Sequence, residues 1–101
     1  MDKHTFSAIV IDEDTLLDLE QFEHALYVEH HIVIEMVEHQ LITPKGNTPE
    51  NWRFNSECLR RAKIAMRFYR DLEVNFPGIS VVLDLLEQIE KLEKRIKLLE
   101  K

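Results

Sequence analysis

Residues 52–78 read WRFNSECLRRAKIAMRFYRDLEVNFPG, and this stretch decides the fold. Trp52-Arg53-Phe54 alternates bulky apolar residues around one arginine, as a short strand does. Asn55 follows, a residue type whose side chain accepts from the first free amides of a helix. Leu59, Ala62, Met66 and Tyr69 then recur at helical spacing. A helix is therefore predicted from Asn55 to about Leu72, with those four on its buried stripe. Arg60, Lys63, Arg67 and Arg70 form a basic stripe on another face. Asn75-Phe76-Pro77 opens a further helix, with Pro in its first turn, where the missing amide has no partner to lose.

Working back from this block, Lys45 to Asn51 is the one loop-like stretch, with Gly46-Asn47 and Pro49 as turn formers. Before it, Ile32, Val33, Met36 and Val37 set one apolar stripe on a helix over about 29–40. Thr43-Pro44 is expected to end that helix, because the residue before a proline disfavours helical geometry. Phe22, Ala25 and Leu26 give a shorter helix over about 19–26. Residues 6–11 are apolar and β-branched, and read as a strand or an ordered arm. Two helices with a short turn, followed by a hairpin-like loop, describe a winged helix-turn-helix.

Working forward, Val82, Leu85, Ile89, Leu92, Ile96 and Leu99 are spaced 3, 4, 3, 4, 3, which is a heptad seam. Its a positions are β-branched and its d positions are Leu, the arrangement that favours two strands. A helix over 77–100 is about 36 Å long. A core built from the rest of so short a chain does not cover that length. The seam is expected to pair two copies of the chain, with parallel and antiparallel pairing both open. An amphipathic helix packed on its own domain is the alternative.

With 101 residues, one domain is expected: 1–76 as the helix-turn-helix part and 77–101 as its heptad helix. Only two Gly and three Pro occur, which leaves little room for a turn-rich β fold. No apolar run is long enough for a signal peptide or a membrane span, and the single Cys58 forms no internal disulfide. A cytoplasmic location follows as the expectation. Charge is divided unevenly. Residues 1–50 hold eleven acids against Lys3 and Lys45, whereas residues 51–101 hold eight acids and eleven bases. The first half is thus expected to repel phosphate backbones and attract cationic protein surfaces.

Several segments together resemble the chaperone modulatory protein family CbpM. They are Trp52-Arg53-Phe54, Leu59-Arg60-Arg61-Ala62, Arg70-Asp71-Leu72, Asn75-Phe76-Pro77-Gly78 and Leu83-Asp84-Leu85-Leu86-Glu87-Gln88-Ile89, with Leu41-Ile42-Thr43-Pro44 before them. The resemblance implies a mostly α, MerR-like winged helix-turn-helix with a small β hairpin wing and a long, coiled-coil-like C-terminal helix. It also implies binding to the J-domain of a DnaJ-like, CbpA-type co-chaperone. That binding blocks the J-domain from stimulating DnaK and weakens the partner's own DNA binding. The chain departs from the family at the helix-turn-helix turn, where Leu26-Tyr27-Val28-Glu29 stands in place of a turn with Gly and Ser. Its first fifteen residues also look longer than the usual family start.

Residue chemistry agrees with a cationic partner. Glu29, Glu35 and Glu38 on the second helix, with Glu20 and Glu23 on the first, are the candidate contacts to a basic J-domain helix. Tyr27 and Phe68 are either anchors or core, with core favoured. Trp52 is expected to anchor the wing. Specific DNA binding, as in a MerR-like transcription regulator, is the alternative function. It needs Arg, Lys, Asn or Gln at base edges. Residues 29–39 contain neither Arg nor Lys and carry three Glu, so nucleic acid is not expected as a partner. His31, Glu35 and His39 share a helix face, as metal ligands would, but a solvated polar face explains them, and no metal or cofactor is expected. The histidines suggest partner binding that responds to mild acid. Ser7, Ser56 and Ser80 lack a base-and-orienter context and no Gly-rich phosphate loop exists, so no catalysis is expected.

Overall fold

The computed structural model describes residues 15–100. Among them are four helices: α1 (Leu19–Leu26), α2 (His30–Glu38), α3 (Ser56–Asp71) and α4 (Phe76–Leu99), with a short 3₁₀ turn at Pro49–Asn51. The expected arm at 6–11 lies outside the described residues.

Three of the four helices, all but α2, begin where a side chain satisfies an open amide. Asp18 and Gln21 form a reciprocal capping box on α1, both bonds at 2.9 Å. Asn55 accepts from the Cys58 amide at the head of α3, and Asn75 from the Gly78 amide at the head of α4. These two caps stand where the sequence placed them.

The helix ends follow a rule of their own. Tyr27 (φ 57°), Gln40 (φ 61°) and Glu73 (φ 55°) all adopt the left-handed conformation just past a helix. After Glu73 the Val74 amide reaches back six residues, to the Phe68 carbonyl, whereas after the other two the next amide reaches back five: Val28 to the Glu23 carbonyl and Leu41 to Met36. This is the Schellman closure, normally built on glycine. It ends α2 at Glu38, well before Thr43-Pro44, so the proline does not terminate that helix.

Nearly all of the hydrophobic core comes from α1–α3 and the segments beside them. Phe22, Val33, Met36, Leu41, Ile42, Phe54 and Ile79 are its most enclosed side chains. Phe54 stacks on Phe22 (centroids 4.0 Å apart, planes 11° apart), and Trp52 meets Phe54 edge-on at 6.1 Å. Phe54 thus ties the 45–54 segment to α1, and Trp52 packs against the core beside it, as expected of an anchor. Tyr69 differs from its predicted place: it sits at the rim, with its ring stacked on Phe76 at 4.7 Å. Cys58 and Ala65 take buried places on α3 instead, beside Leu59, Ala62 and Met66.

The expected hairpin wing is not seen as paired strands among the described residues. Backbone pairing there consists of two isolated antiparallel bridges, Lys45 with Arg53 and Leu17 with Phe54. The 3₁₀ turn takes up the residues between the first pair, and Gly46 (φ 109°) makes the reversal. A Cβ at Gly46 would sit 2.4 Å from the Asn51 carbonyl oxygen, so no other residue fits there without movement.

Only the first part of α4 joins the core, through Phe76, Ile79 and Leu83. The heptad seam lies on a different face. At 3.6 residues per turn, Leu85 points about 160° away from Leu83. Leu85, Ile89, Leu92, Ile96 and Leu99 are all at least half exposed in the single chain, with Val82 partly covered. No helix among the described residues is long and apolar enough to cross a membrane.

Candidate partner interface

The capping box of α1 fixes one wall of an open cleft of about 510 Å³. The cleft lies between the first turns of α1, the start of α2 and the 49–53 segment. Asp18, Glu20, Glu23 and Glu50 line it, against the two basic side chains His30 and Arg53. Glu23 holds the cleft floor: its carboxylate meets His30 Nδ1 at 2.7 Å, across the helix-turn-helix turn. That contact leaves Glu23 only 19% exposed. Arg53 donates to the Trp52 carbonyl at 2.7 Å, which holds its side chain near its own backbone.

The five predicted glutamates therefore divide. Glu20 and Glu23 share the cleft. Glu29 caps the backbone of α2 without a side-chain bond to it and is 82% exposed, 3.4 Å from His31. Glu38 is exposed and Glu35 half-buried. His31, Glu35 and Glu38 follow one another at i, i+4 and i+7, so they share the outward side of α2, opposite buried Val33 and Met36. That side carries no lysine or arginine.

Sequence reasoning missed Asp18 and Glu50 as members of the cleft. The Asp-x-x-Gln spacing at 18–21 is the signal that locates Asp18. Nothing local places Glu50, because the fold of 45–54 brings it there. Tyr27 also differs from its favoured core assignment: it is 72% exposed on the turn between α1 and α2. Phe68 does pack against the core. His31, Glu35 and His39 do not gather as ligands; no group of three metal-binding side chains occurs among the described residues. His39 instead meets the edge of Phe76 at 5.9 Å.

Much of the basic stripe of α3 is engaged within the chain. Arg60 donates to both carboxylate oxygens of Glu57, at 3.1 and 2.7 Å. This bond holds the Glu57 carboxyl below its ordinary range, against a smaller opposing effect of burial, and raises Arg60. Arg61 bonds the Leu41 carbonyl and Glu87, and Arg70 donates to the Tyr27 carbonyl at 2.9 Å.

Residues 17–101 match the family described as MerR HTH family regulatory protein. The chaperone modulatory protein CbpM of Coxiella burnetii (strain Dugway 5J108-111) is 48% identical over 101 residues, which cover all of this chain and 95% of that relative. The alignment includes the first fifteen residues, so their length is shared with that relative. The protein of the same name from Pseudomonas entomophila (strain L48) is 38% identical over 60 residues, 59% of each chain. That from Pseudomonas putida (strain F1) is 37% identical over the same span and share.

Proposed function

This chain belongs to the chaperone modulatory proteins CbpM within the MerR HTH regulatory proteins, and from that premise we propose that it inhibits a DnaJ-like, CbpA-type co-chaperone by covering its J-domain. The observation that carries this reading is the acidic cleft, with Glu29, Glu35 and Glu38 on the neighbouring helix. A J-domain offers a basic helix to DnaK. An acid-lined surface competes for that helix by charge complementarity, which raises association rate and selectivity. Exposed Tyr27 supplies an aromatic anchor of the kind that binding energy concentrates on.

The same charges disfavour the DNA-binding reading. The side of α2 that a helix-turn-helix protein turns to the major groove here presents Glu35, Glu38 and His31. Phosphate contacts and base-edge donors are both missing from that side.

Two copies join through α4 in this reading. Val82, Leu85, Ile89, Leu92, Ile96 and Leu99 form an apolar seam that the chain itself leaves open. Residues 1–76 and 77–101 act as one domain, with the 45–54 segment in the place of the wing. The protein works in the cytoplasm, where DnaJ-like partners act, and does so by binding, without a catalytic step.

Calorimetric titration with an isolated J-domain, run beside duplex DNA at physiological salt, is the test. Saturable heat with the J-domain and none with DNA is expected. Glu20→Lys with Glu29→Lys weakens J-domain binding about tenfold or more, since charge reversal at a steered interface costs 1.4 kcal/mol or above. DNA binding without J-domain binding would reverse the assignment.

A further inference from the structure

We propose that the C-terminal half of α3 carries a second docking surface, fitted to an acidic peptide segment with an aliphatic anchor. The observations are a cationic ridge and the apolar depressions beside it. Lys63, Arg67 and Arg70 follow at i, i+4 and i+7, so they share one face of the helix. On one side of the ridge lies a hollow of about 390 Å³, floored by Ile64, Phe68 and Leu72. On the other lies one of about 330 Å³, which reaches Leu26 and Met66. Arg67 borders both hollows.

No described residue neutralises this surface. Arg60 and Arg61 are committed to Glu57 and Glu87, whereas Lys63 and Arg67 form no ion pair with any described residue. Arg70 gives one nitrogen to the Tyr27 carbonyl and keeps further donors for the surface. Asp71 is the one acid lining the hollows, so the ridge remains net positive. Leu72 is 64% exposed beside it, an apolar side chain with nothing over it among the described residues.

Charge sets the sign of the occupant and the hollows set its class. Carboxylates of a peptide match guanidinium forks directly. A nucleic-acid backbone would meet the cations but gain nothing from Ile64, Phe68 and Leu72. A short acidic segment bearing Leu or Ile uses both features. This surface shares no lining residue with the acidic cleft, and it draws a partner of the opposite charge.

Fluorescence anisotropy on the full chain tests this. The probes are a labelled peptide of Glu, Asp and Leu, the same peptide with Lys for every acid, and an oligonucleotide of equal charge to the first. Saturable binding of the acidic peptide is expected, weakened by added salt. Arg67→Glu is expected to weaken it about tenfold, and Leu72→Ser severalfold. Lys94→Glu, an equal change in net charge on α4, leaves it unchanged. Both binding-site residues are exposed, and an unaltered circular dichroism spectrum confirms that the variants remain folded. The proposal is overturned by any of three results: no saturable binding of the acidic peptide, insensitivity to Arg67→Glu, or tighter binding of the oligonucleotide; the Lys peptide is directed to the acidic cleft, and its binding is expected not to weaken in Arg67→Glu.

Discussion

Arg61 on α3 bonds the carboxylate of Glu87 on α4 from a site only 14% exposed, while its Nε donates to the Leu41 carbonyl at 2.7 Å. One side chain thus joins the segment after α2, the central helix and the C-terminal helix.

Removing it leaves a part-buried carbonyl and a carboxylate without their donor. Arg61→Met is expected to cost about 2–3 kcal/mol, the range for breaking charged hydrogen bonds in a partly closed site. Glu87→Gln is milder, at or below about 1 kcal/mol, because Glu87 is 40% exposed. Urea midpoints of the two variants and their double mutant check this. An additive double mutant would show that the two side chains do not act as a unit.

The Glu57–Arg60 pair gives a pH-dependent contribution with a definite sign. Folding lowers the Glu57 carboxyl from its ordinary 4.5, chiefly through the Arg60 hydrogen bond. A lowered carboxyl contributes stability above its ordinary value and loses it as pH falls through the folded-state value. Glu57 is about half exposed, so the contribution stays below about 1 kcal/mol. Glu57→Gln is therefore slightly less stable than the parent at neutral pH. The gap closes as pH falls below 4.5 and through the lowered folded-state value. A gap that widened in acid would contradict the sign.

Gln40 holds a left-handed backbone with no side-chain bond to compensate among the described residues. A non-glycine residue in that conformation costs roughly 1 kcal/mol, part of which glycine returns as chain entropy. Gln40→Gly is expected to raise stability by about 0.5 kcal/mol, whereas Gly46→Ala lowers it by several times as much through the clash with Asn51. Thermal midpoints measured side by side distinguish the two.

The proposed seam makes a prediction about mass. Ile89→Asp puts a charge at the middle of the stripe, at a side chain half exposed in the single chain. Sedimentation should show the parent at twice the chain mass and the variant at one. An unchanged mass would place the contact between copies elsewhere.

The elements legible in the sequence are those whose signals are local and conventional. Asn55 and Asn75 start helices where their side chains are needed, and the stripes through Phe22, Val33 and Leu59 lie on the core as periodicity requires. The endings were not legible. Tyr27, Gln40 and Glu73 do what glycine ordinarily does, and tertiary contacts hold them there: Arg70 on the Tyr27 carbonyl is one such contact. The wing was read from Trp52-Arg53-Phe54, yet only single bridges form among the described residues, because the 3₁₀ turn occupies the intervening chain. Of the site, the acidic side of α2 could be read from composition. The cleft could not, since Glu50 reaches it only through the folding of a separate segment.

Beyond Leu83, α4 continues for sixteen residues to Leu99, and after the bond from Arg61 at Glu87 no hydrogen bond or ion pair between described side chains ties it back. A stretch of about a dozen residues is close to the shortest that keeps its shape unaided in water. The tail is therefore ordered to the degree that it has company, and its ellipticity becomes a gauge of how crowded the solution is with whatever it clasps.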